Sequence, residues 1–496
     1  MTKTKLIQRE VLSMINSIQQ FIDAGVEKLE KTMIEFSANP TRIAEMVYGV
    51  TDSMVQLGLD IIAEELESYD EIIRNNVIRK KNWYIVRRDE TSLLTSLGTI
   101  RYKKTLFKHK ETGKNEYLLD RAMELDKHTR MTEDAEARIL EEAVESSYRK
   151  GGINVSIGRE EVSRQTVKNK IHALDFPQAE AKLEKKAIPY LYIDCDEDHV
   201  ALQYIEEKGD IRGGKGRRLM PKIVYVYEGI ESNGKRRELL GTKYFGGMYE
   251  GSEGVEKLWK DVWDYIETSY DTEALKKIYI NGDGAGWIRT GRRYIAGSRF
   301  VLDKFHMSKY IIQATSHLWD SVEDARSWIY RAIGKKAKWM AEEAFEKILE
   351  VTDSETKRRT VEDAKDYILD NWAGIMEQRK KGEAQVGCSA EGHVSHIYAD
   401  RMSSRPLGWS REGVDKMARL RIYHANKGDM LELVRHQKAG KAAGAEEEVI
   451  FTSTEMFLEE KRQRKALGKL AGAKIYSIPY PQVRKIANFK AHIFGL

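Results

Sequence analysis

Three short stretches of this 496-residue chain combine carboxylates with β-formers, glycines or a polar helix face. The first is Tyr192-Ile193-Asp194-Cys195-Asp196-Glu197-Asp198-His199-Val200. In an extended chain successive side chains alternate between faces, so Asp194, Asp196 and Asp198 share one. Carboxylates crowded on a strand are costly unless a cation compensates them. A hard ion such as Mg²⁺ takes one or two, with water and phosphate oxygens completing its shell. The second stretch, Ile278-Tyr279-Ile280-Asn281-Gly282-Asp283-Gly284, is an apolar strand that ends in an aspartate between glycines, which leave room for a ligand or another backbone. The third runs from Cys388-Ser389-Ala390-Glu391-Gly392-His393 through His396 and Arg401 to Arg405. Glu391 alone reads as a helix-capping acid, but its Ser, His and Arg neighbours form a polar face suited to phosphates.

One chemistry unites the three. Carboxylates from separate elements can hold two metal ions about 3.5–4 Å apart, which activate an attacking oxygen and stabilise the leaving oxygen of a phosphodiester. Other chemistries fit less well. His199, His306, His393 and His396 form no HExxH zinc motif, and the chain has neither a GxSxG elbow nor a phosphate-binding P-loop. Cys388 near His393 would suit a thiol nucleophile, but nothing else in the sequence supports one.

The elements that must position these residues follow from periodicity. Residues 1–90 read as a helical N-terminal region, with apolar residues at three- and four-residue spacing. A small β-hairpin region spans 91–125, with a strand through Ser96–Tyr102 and Thr105–Phe107 and a turn at Thr112–Asn115. Residues 126–185 read as a helix-turn-helix DNA-binding region. There Thr132 opens one helix and Ser163 another, which would expose Arg164, Gln165, Lys168 and Asn169 and bury Val167 and Ile171. Residues 186–310 read as α/β, with a hairpin across Ser232-Asn233-Gly234-Lys235 between Ile223–Tyr227 and Glu238–Phe245. A helix with Leu258, Trp259 and Val262 follows, then strands at Lys277–Asn281 and Arg299–Asp303. Three antiparallel strands, a helix, a strand, a helix and a strand make a ribonuclease-H-like order. An all-helical insertion is expected over 311–385, the second part of the core over 386–440, and a basic C-terminal tail over 441–496.

Composition sets wider bounds. Lys and Arg number 83 against 78 Asp and Glu, a net charge of +5, which permits a polyanionic partner without requiring one. Basic residues cluster at Arg212–Arg218, Arg289–Arg293 and Lys461–Lys465. Two cysteines, Cys195 and Cys388, rule out a disulfide framework and suit a reducing compartment. No apolar stretch of about 18 residues is present, and the first residues lack a signal peptide's apolar core. A cytoplasmic protein is expected.

At the chemistry-bearing residues the sequence resembles the mutator-like superfamily of DDE transposases, and more closely the bacterial insertion-sequence group called the ISLre-two family. The blocks that carry the resemblance are DEDHVALQ (196–203), NGDGAGWI (281–288), LDKFHMSKYI (302–311) and CSAEGHVSHIYADRMSSRPLGWS (388–410). The resemblance implies an α/β catalytic core of ribonuclease-H-like type with a helical insertion between the second aspartate and the glutamate. It further implies a triad of Asp196, Asp283 and Glu391 that ligates Mg²⁺ or Mn²⁺, with Asp194 as the alternative to Asp196. Asp303 and His306 would match the superfamily's D-x-x-H signature and support the site. Arg401 and Arg405 are expected phosphate contacts. The implied partners are DNA, both element ends and target, and further copies of the chain in a dimer or larger assembly. A ribonuclease-H-like nuclease without strand transfer and a transposase-derived DNA-binding regulator remain the alternatives.

Overall fold

The computed structural model describes residues 16–126, 129–177, 184–204, 218–234, 236–380, 386–405 and 407–442. The basic runs at 212–217 and 461–465, Lys235 of the Asn-Gly turn and the tail beyond residue 442 lie outside the described residues. The chain divides into two compact units. One holds the residues up to Ile139, Arg149–Arg164 and the segment from Lys438; the other holds Leu140–Tyr148 and Gln165–Gln437.

In the first unit, α1 (Val26–Ala38) and the 33-residue α2 (Ile43–Asn75) are joined by a turn at Asn39-Pro40. Asn76 stops α2 and caps the short helix that follows, its side chain accepting from Ile78 N at 2.8 Å. β1 (Trp83–Leu94) pairs antiparallel with β2 (Thr99–His109), and β2 with β3 (Asn115–Tyr117). Ile73 of α2 packs with Trp83, Ile100, Phe107 and Leu118 in the core. Buried Asp70 of α2 accepts from Thr105 N at 2.9 Å and Thr105 Oγ1 at 2.6 Å, which ties helix to sheet.

This sheet differs from the sequence expectation. The first strand begins at Trp83 and not after 90. Residues 95–98 form the turn between the two long strands, with Thr95 Oγ1 accepting from Leu97 N and Gly98 N. The turn at Thr112–Asn115 joins β2 to the short β3. β1 hides its period: Tyr84, Ile85 and Val86 are all exposed, and the register shifts between Ile85 and Arg87. An apolar-polar alternation is absent because neither face of that segment is covered.

Beyond a short helix at Leu118–Ala122 come α3 (Glu133–Glu145), α4 (Tyr148–Ile153) and α5 (Arg164–His172). α5 buries Val167 and Ile171 and exposes Arg164, Gln165 and Asn169, with Lys168 half-buried. Gly152 of α4 lies against the chain entering α5, and a Cβ there would stand 2.2 Å from the carbonyl oxygen of Val162.

The second unit is built on a five-stranded sheet of β4 (Tyr190–Glu197), β5 (Lys222–Tyr227), β6 (Lys243–Gly247), β7 (Lys277–Gly282) and β8 (Ser298–Leu302). Their spatial order is β6-β5-β4-β7-β8. β4, β5 and β6 pair antiparallel, whereas β7 runs parallel to both β4 and β8. Between β5 and β6 the chain extends as a ribbon, Gly229–Asn233 paired with Arg236–Leu240, so the expected single hairpin is split into two paired segments. α6 (Gly251–Ser269) covers one face with Leu258, Trp259, Val262 and Ile266, packed on Leu191, Ile193, Cys195 and Ile280. Tyr192, Tyr225, Tyr227 and Tyr279 cluster on the other face with Val301 and Ala390.

After β8, residues 304–380 hold helices and turns: α7 (Lys304–Thr315), α8 (Val322–Gly334), α9 (Lys338–Glu350), α10 (Glu355–Asp370) and α11 (Trp372–Gln378). This run begins at Lys304, earlier than the expected 311. α11 returns to the sheet, where Gln378 Nε2 donates to Leu302 O at 2.7 Å. α12 (Ala390–Val394) continues through Ser395–Ala399 to Met402, and α13 (Arg411–Ala425) packs on β6. Among the described residues no helix is long and apolar enough to cross a membrane.

Candidate functional site

Parallel pairing sets Ile193 beside Ile280 and Asp194 beside Asn281. Asp196 on β4 and Asp283, the residue after β7, therefore arrive at the carboxyl ends of neighbouring parallel strands. Asp283 is held by its own turn, Oδ1 accepting from Ala285 N at 2.8 Å, while the Tyr367 hydroxyl of α10 donates to its carbonyl oxygen. Gly284 makes the turn possible: its φ is +89°, and a Cβ there would lie 2.5 Å from Asn371 Oδ1. Asp303, first after β8, caps α7 by accepting from His306 N at 3.2 Å, and its Oδ2 lies 2.9 Å from His306 Nδ1. The third stretch brings Glu391 in, exposed on the first turn of α12.

These groups meet in one cleft of about 220 Å³, lined among others by Asp196, Asp283, Asp303, Phe305, His306 and Glu391. Burial, with the Asp283 charge adding to it and His306 opposing, pushes the Asp196 carboxyl up to about 7. Burial also raises Asp303, but hydrogen bonds from His306 outweigh it and hold the acid below the usual carboxylate range. The hydrogen bond to Asp303, reinforced by the charges of Asp283 and Asp196, raises His306. An acidic pair beside one imidazole is an electrostatic sink for a cation.

The donor set fits a hard divalent ion. Its groups are carboxylate oxygens, and Asp196 stands half-buried beside Asp283, where ionising both costs free energy without a cation. Among the described residues no three His, Cys, Asp or Glu groups enclose an ion on their own. With Glu391 at the rim, water and phosphate oxygens would complete the shell, as Mg²⁺ prefers.

Of the two aspartates considered for the first position, Asp196 lines the cleft. Asp194 is fully buried and accepts from Tyr225 Oη (2.9 Å), Tyr227 Oη (3.2 Å), Asn281 Nδ2 (2.6 Å) and Ser389 N (2.9 Å). Its oxygens are committed to these donors, and of the two aspartates Asp196 is the one open to the cleft. Asp198 turns elsewhere, accepting from Ser403 Oγ at 2.8 Å.

Arg401 does not contact solvent-borne phosphate as expected. It is 8% exposed, Nε donates to Ala143 O at 3.1 Å, and the guanidinium lies over the rings of Trp409 (5.0 Å) and Tyr148 (5.5 Å). Burial lowers its pKa to about 10. It braces the second unit from inside. Arg405 is exposed but does not line the cleft, and α5 presents Arg164, Gln165 and Asn169 to solvent. His393 is half-buried, with Nδ1 3.0 Å from Tyr244 Oη, and burial lowers its pKa. The Cys388 thiol lines the cleft, but burial and the neighbouring Asp194 push it well up, away from the thiolate a nucleophile needs. Sequence reading missed Asn281, Ser389, Tyr225 and Phe305. Two of them carried a positional signal: Asn281 and Ser389 each precede an acid of the expected triad by two residues.

A protein-family profile, described as "Uncharacterised protein family (UPF0236)", matches residues 37–439 of this chain. The chain belongs to that family. Among UPF0236 relatives is UPF0236 protein TTE2489 of Caldanaerobacter subterraneus subsp. tengcongensis, 37% identical over 432 residues that cover 87% of each chain. A second protein of that organism, whose name joins eleven locus designations beginning with TTE0033, is 37% identical over 408 residues, 82% of this chain and 83% of the relative. "UPF0236 protein in vanSb 3'region" of Streptococcus gallolyticus is 23% identical over 405 residues, 77% of this chain and 83% of the relative. UPF0236 thus has many paralogues within one genome.

Proposed function

We propose that this UPF0236 protein is a metal-dependent DNA transposase of the ISLre-two, mutator-like type, which cuts DNA at element ends and joins the freed 3′ ends to target DNA. The observation that carries the proposal is the meeting of Asp196, Asp283 and Glu391 in one cleft from segments far apart in sequence. The strand directions support it too: three antiparallel strands, then two parallel ones, are what a ribonuclease-H-like core requires. Repetition within one genome, with one relative's name joining eleven designations, is in keeping with a self-copying element.

In this reading Asp196 and Asp283 hold Mg²⁺ or Mn²⁺ from fixed strand ends, and Glu391 closes the set from α12. Divalent ions held there would supply activation of the attacking oxygen and stabilisation of the leaving oxygen in an in-line displacement. The chain's own contribution is placement. β4 and β7 fix two carboxylates through the parallel ladder, and the Ala285 N–H fixes the Asp283 rotamer. The imidazole of His306, held by Asp303 at 2.9 Å and favoured in its charged form by the surrounding carboxylates, stands beside the acids where a DNA phosphate would enter. Exposed Arg164, Gln165 and Asn169 on the solvent face of α5, with half-buried Lys168 beside them, would read the element ends, with Arg405 as a backbone contact. Two ends must be held together for joining, which calls for a dimer or larger assembly.

The testing experiment incubates the full chain with DNA carrying element ends, a target plasmid and Mg²⁺ or Mn²⁺, and follows end cleavage and joining. Metal-dependent joined product is expected. Cleavage without joining would favour the plain nuclease, and end binding without cleavage the regulator.

A further inference from the structure

The hydrogen-bonded group buried behind the cleft has a regular relation to the proposed triad, on whose reading this inference rests. Asp194 precedes Asp196 by two residues, Asn281 precedes Asp283 by two, and Ser389 precedes Glu391 by two. Asp194 binds the other two directly, taking Asn281 Nδ2 at 2.6 Å and Ser389 N at 2.9 Å. Tyr225 bridges further, donating to Asp194 at 2.9 Å with its oxygen 2.7 Å from Ser389 Oγ. We propose that Asp194 is a positioning hub whose bonds to Asn281 and Ser389 set the relative register of the three segments that carry the metal-binding carboxylates.

The strand geometry makes this effective. Asp194 and Asp196 share a face of β4, and Asp283 follows the last residue of β7, so fixing Asn281 against Asp194 fixes where the chain carrying Asp283 leaves the sheet beside Asp196. Glu391 needs more help, because it comes from a helix reached only after the all-helical run. Ser389 is where that segment meets the sheet, and its N–H is captured by a carboxylate 195 positions earlier in the chain. A fully buried carboxyl is expensive, and burial alone raises the Asp194 pKa. Directional bonds to three other segments give that burial a purpose that an apolar residue of the same size could not serve. Polar groups that orient metal ligands in this way typically cost about 10–100-fold in metal affinity or activity when removed.

The test uses the full chain and two variants, Asn281→Ala and Tyr225→Phe, the second keeping the ring in its tyrosine cluster. Mn²⁺ binding is read by titration calorimetry, and Mn²⁺-dependent cleavage of end-bearing DNA is resolved into kcat and KM. Melting temperature is recorded alongside. Asn281→Ala is expected to bind Mn²⁺ about 10–100-fold more weakly and to lose kcat in the same range, with KM for DNA within about twofold. Tyr225→Phe is expected to move both in the same direction by less. If Asn281→Ala fails to fold, Tyr225→Phe decides. Wild-type Mn²⁺ affinity and kcat in the folded variants would overturn the hub and leave the transposase reading standing. A wild-type chain that neither binds Mn²⁺ nor cuts would overturn that reading and the hub with it.

Discussion

The carboxylate of Asp194 receives the backbone N–H of Ser389 at 2.9 Å, although 195 positions separate them in the chain. That bond brings α12, and Glu391 with it, to the strand that carries Asp196. Two aspartates on one strand face thus have different work: Asp194 is sealed among donors, and Asp196 opens to the cleft.

Their variants should separate accordingly. Asp194→Ala leaves buried donors of Tyr225, Tyr227, Asn281 and Ser389 unpaired and should lower unfolding free energy by about 3 kcal/mol. Asp196→Ala removes an acid that burial and Asp283 disfavour, so stability in metal-free buffer should hold or rise while metal-dependent cleavage is lost. Urea unfolding in EDTA, beside a cleavage assay, checks both. Equal stability of the two variants would contradict the division.

The pH dependence follows from the same acid. The folded pKa of Asp196 is raised to about 7, above its unfolded value, so the group opposes folding once ionised. Metal-free protein should lose this contribution to stability as pH rises from about 4 to about 7. Mn²⁺ competes with that proton and should bind more tightly across the upper part of the window. Calorimetric titrations at pH 6 and pH 8 give the sign directly, and Asp196→Asn should flatten the difference.

Asp303 and His306 have the opposite bearing on stability. The lowered Asp303 stabilises the fold above its unfolded pKa and loses that contribution as pH falls through its folded value. The raised His306 contributes fully below its unfolded pKa, near 6.5, and loses it as pH rises through its folded value. His306→Gln should therefore cost most stability at pH 5–6 and least at pH 9, as thermal melts across that range would record.

The buried arginine and the exposed basic helix should respond differently to substitution. Arg401→Met breaks a buried charged hydrogen bond and should cost about 3 kcal/mol, with DNA affinity of the folded protein unchanged. Arg164→Ala should leave stability within about 0.5 kcal/mol. It should weaken DNA binding and, if Arg164 meets a phosphate, reduce the salt slope by about 1. Fluorescence anisotropy across a salt series distinguishes the two.

The legible parts of the sequence were those with strong period or punctuation. β4, β7 and β8 announced themselves as apolar runs that end in acids, and α5 showed its buried Val167 and Ile171 through spacing alone. β1 was missed because its Tyr84-Ile85-Val86 face is uncovered and bulged, which erases alternation. Arg401 was misread because a basic residue between Asp400 and Ser403 looks solvent-facing, and only the packing of Tyr148 and Trp409 around it reveals a core arginine. Strand alternation puts Asp194 and Asp196 on one face, so only the family resemblance favoured Asp196 over Asp194. What separates them is the depth of the tyrosine cluster and the return of Ser389, both tertiary facts.

The most direct test of the triad compares wild type with Asp283→Ala and Glu391→Ala in Mg²⁺- or Mn²⁺-dependent joining of end-bearing DNA to a target plasmid, with end binding measured in parallel. The prediction is joined product from wild type and none from either variant, while both variants still bind the ends. Full joining activity in either variant would contradict the assignment of that carboxylate.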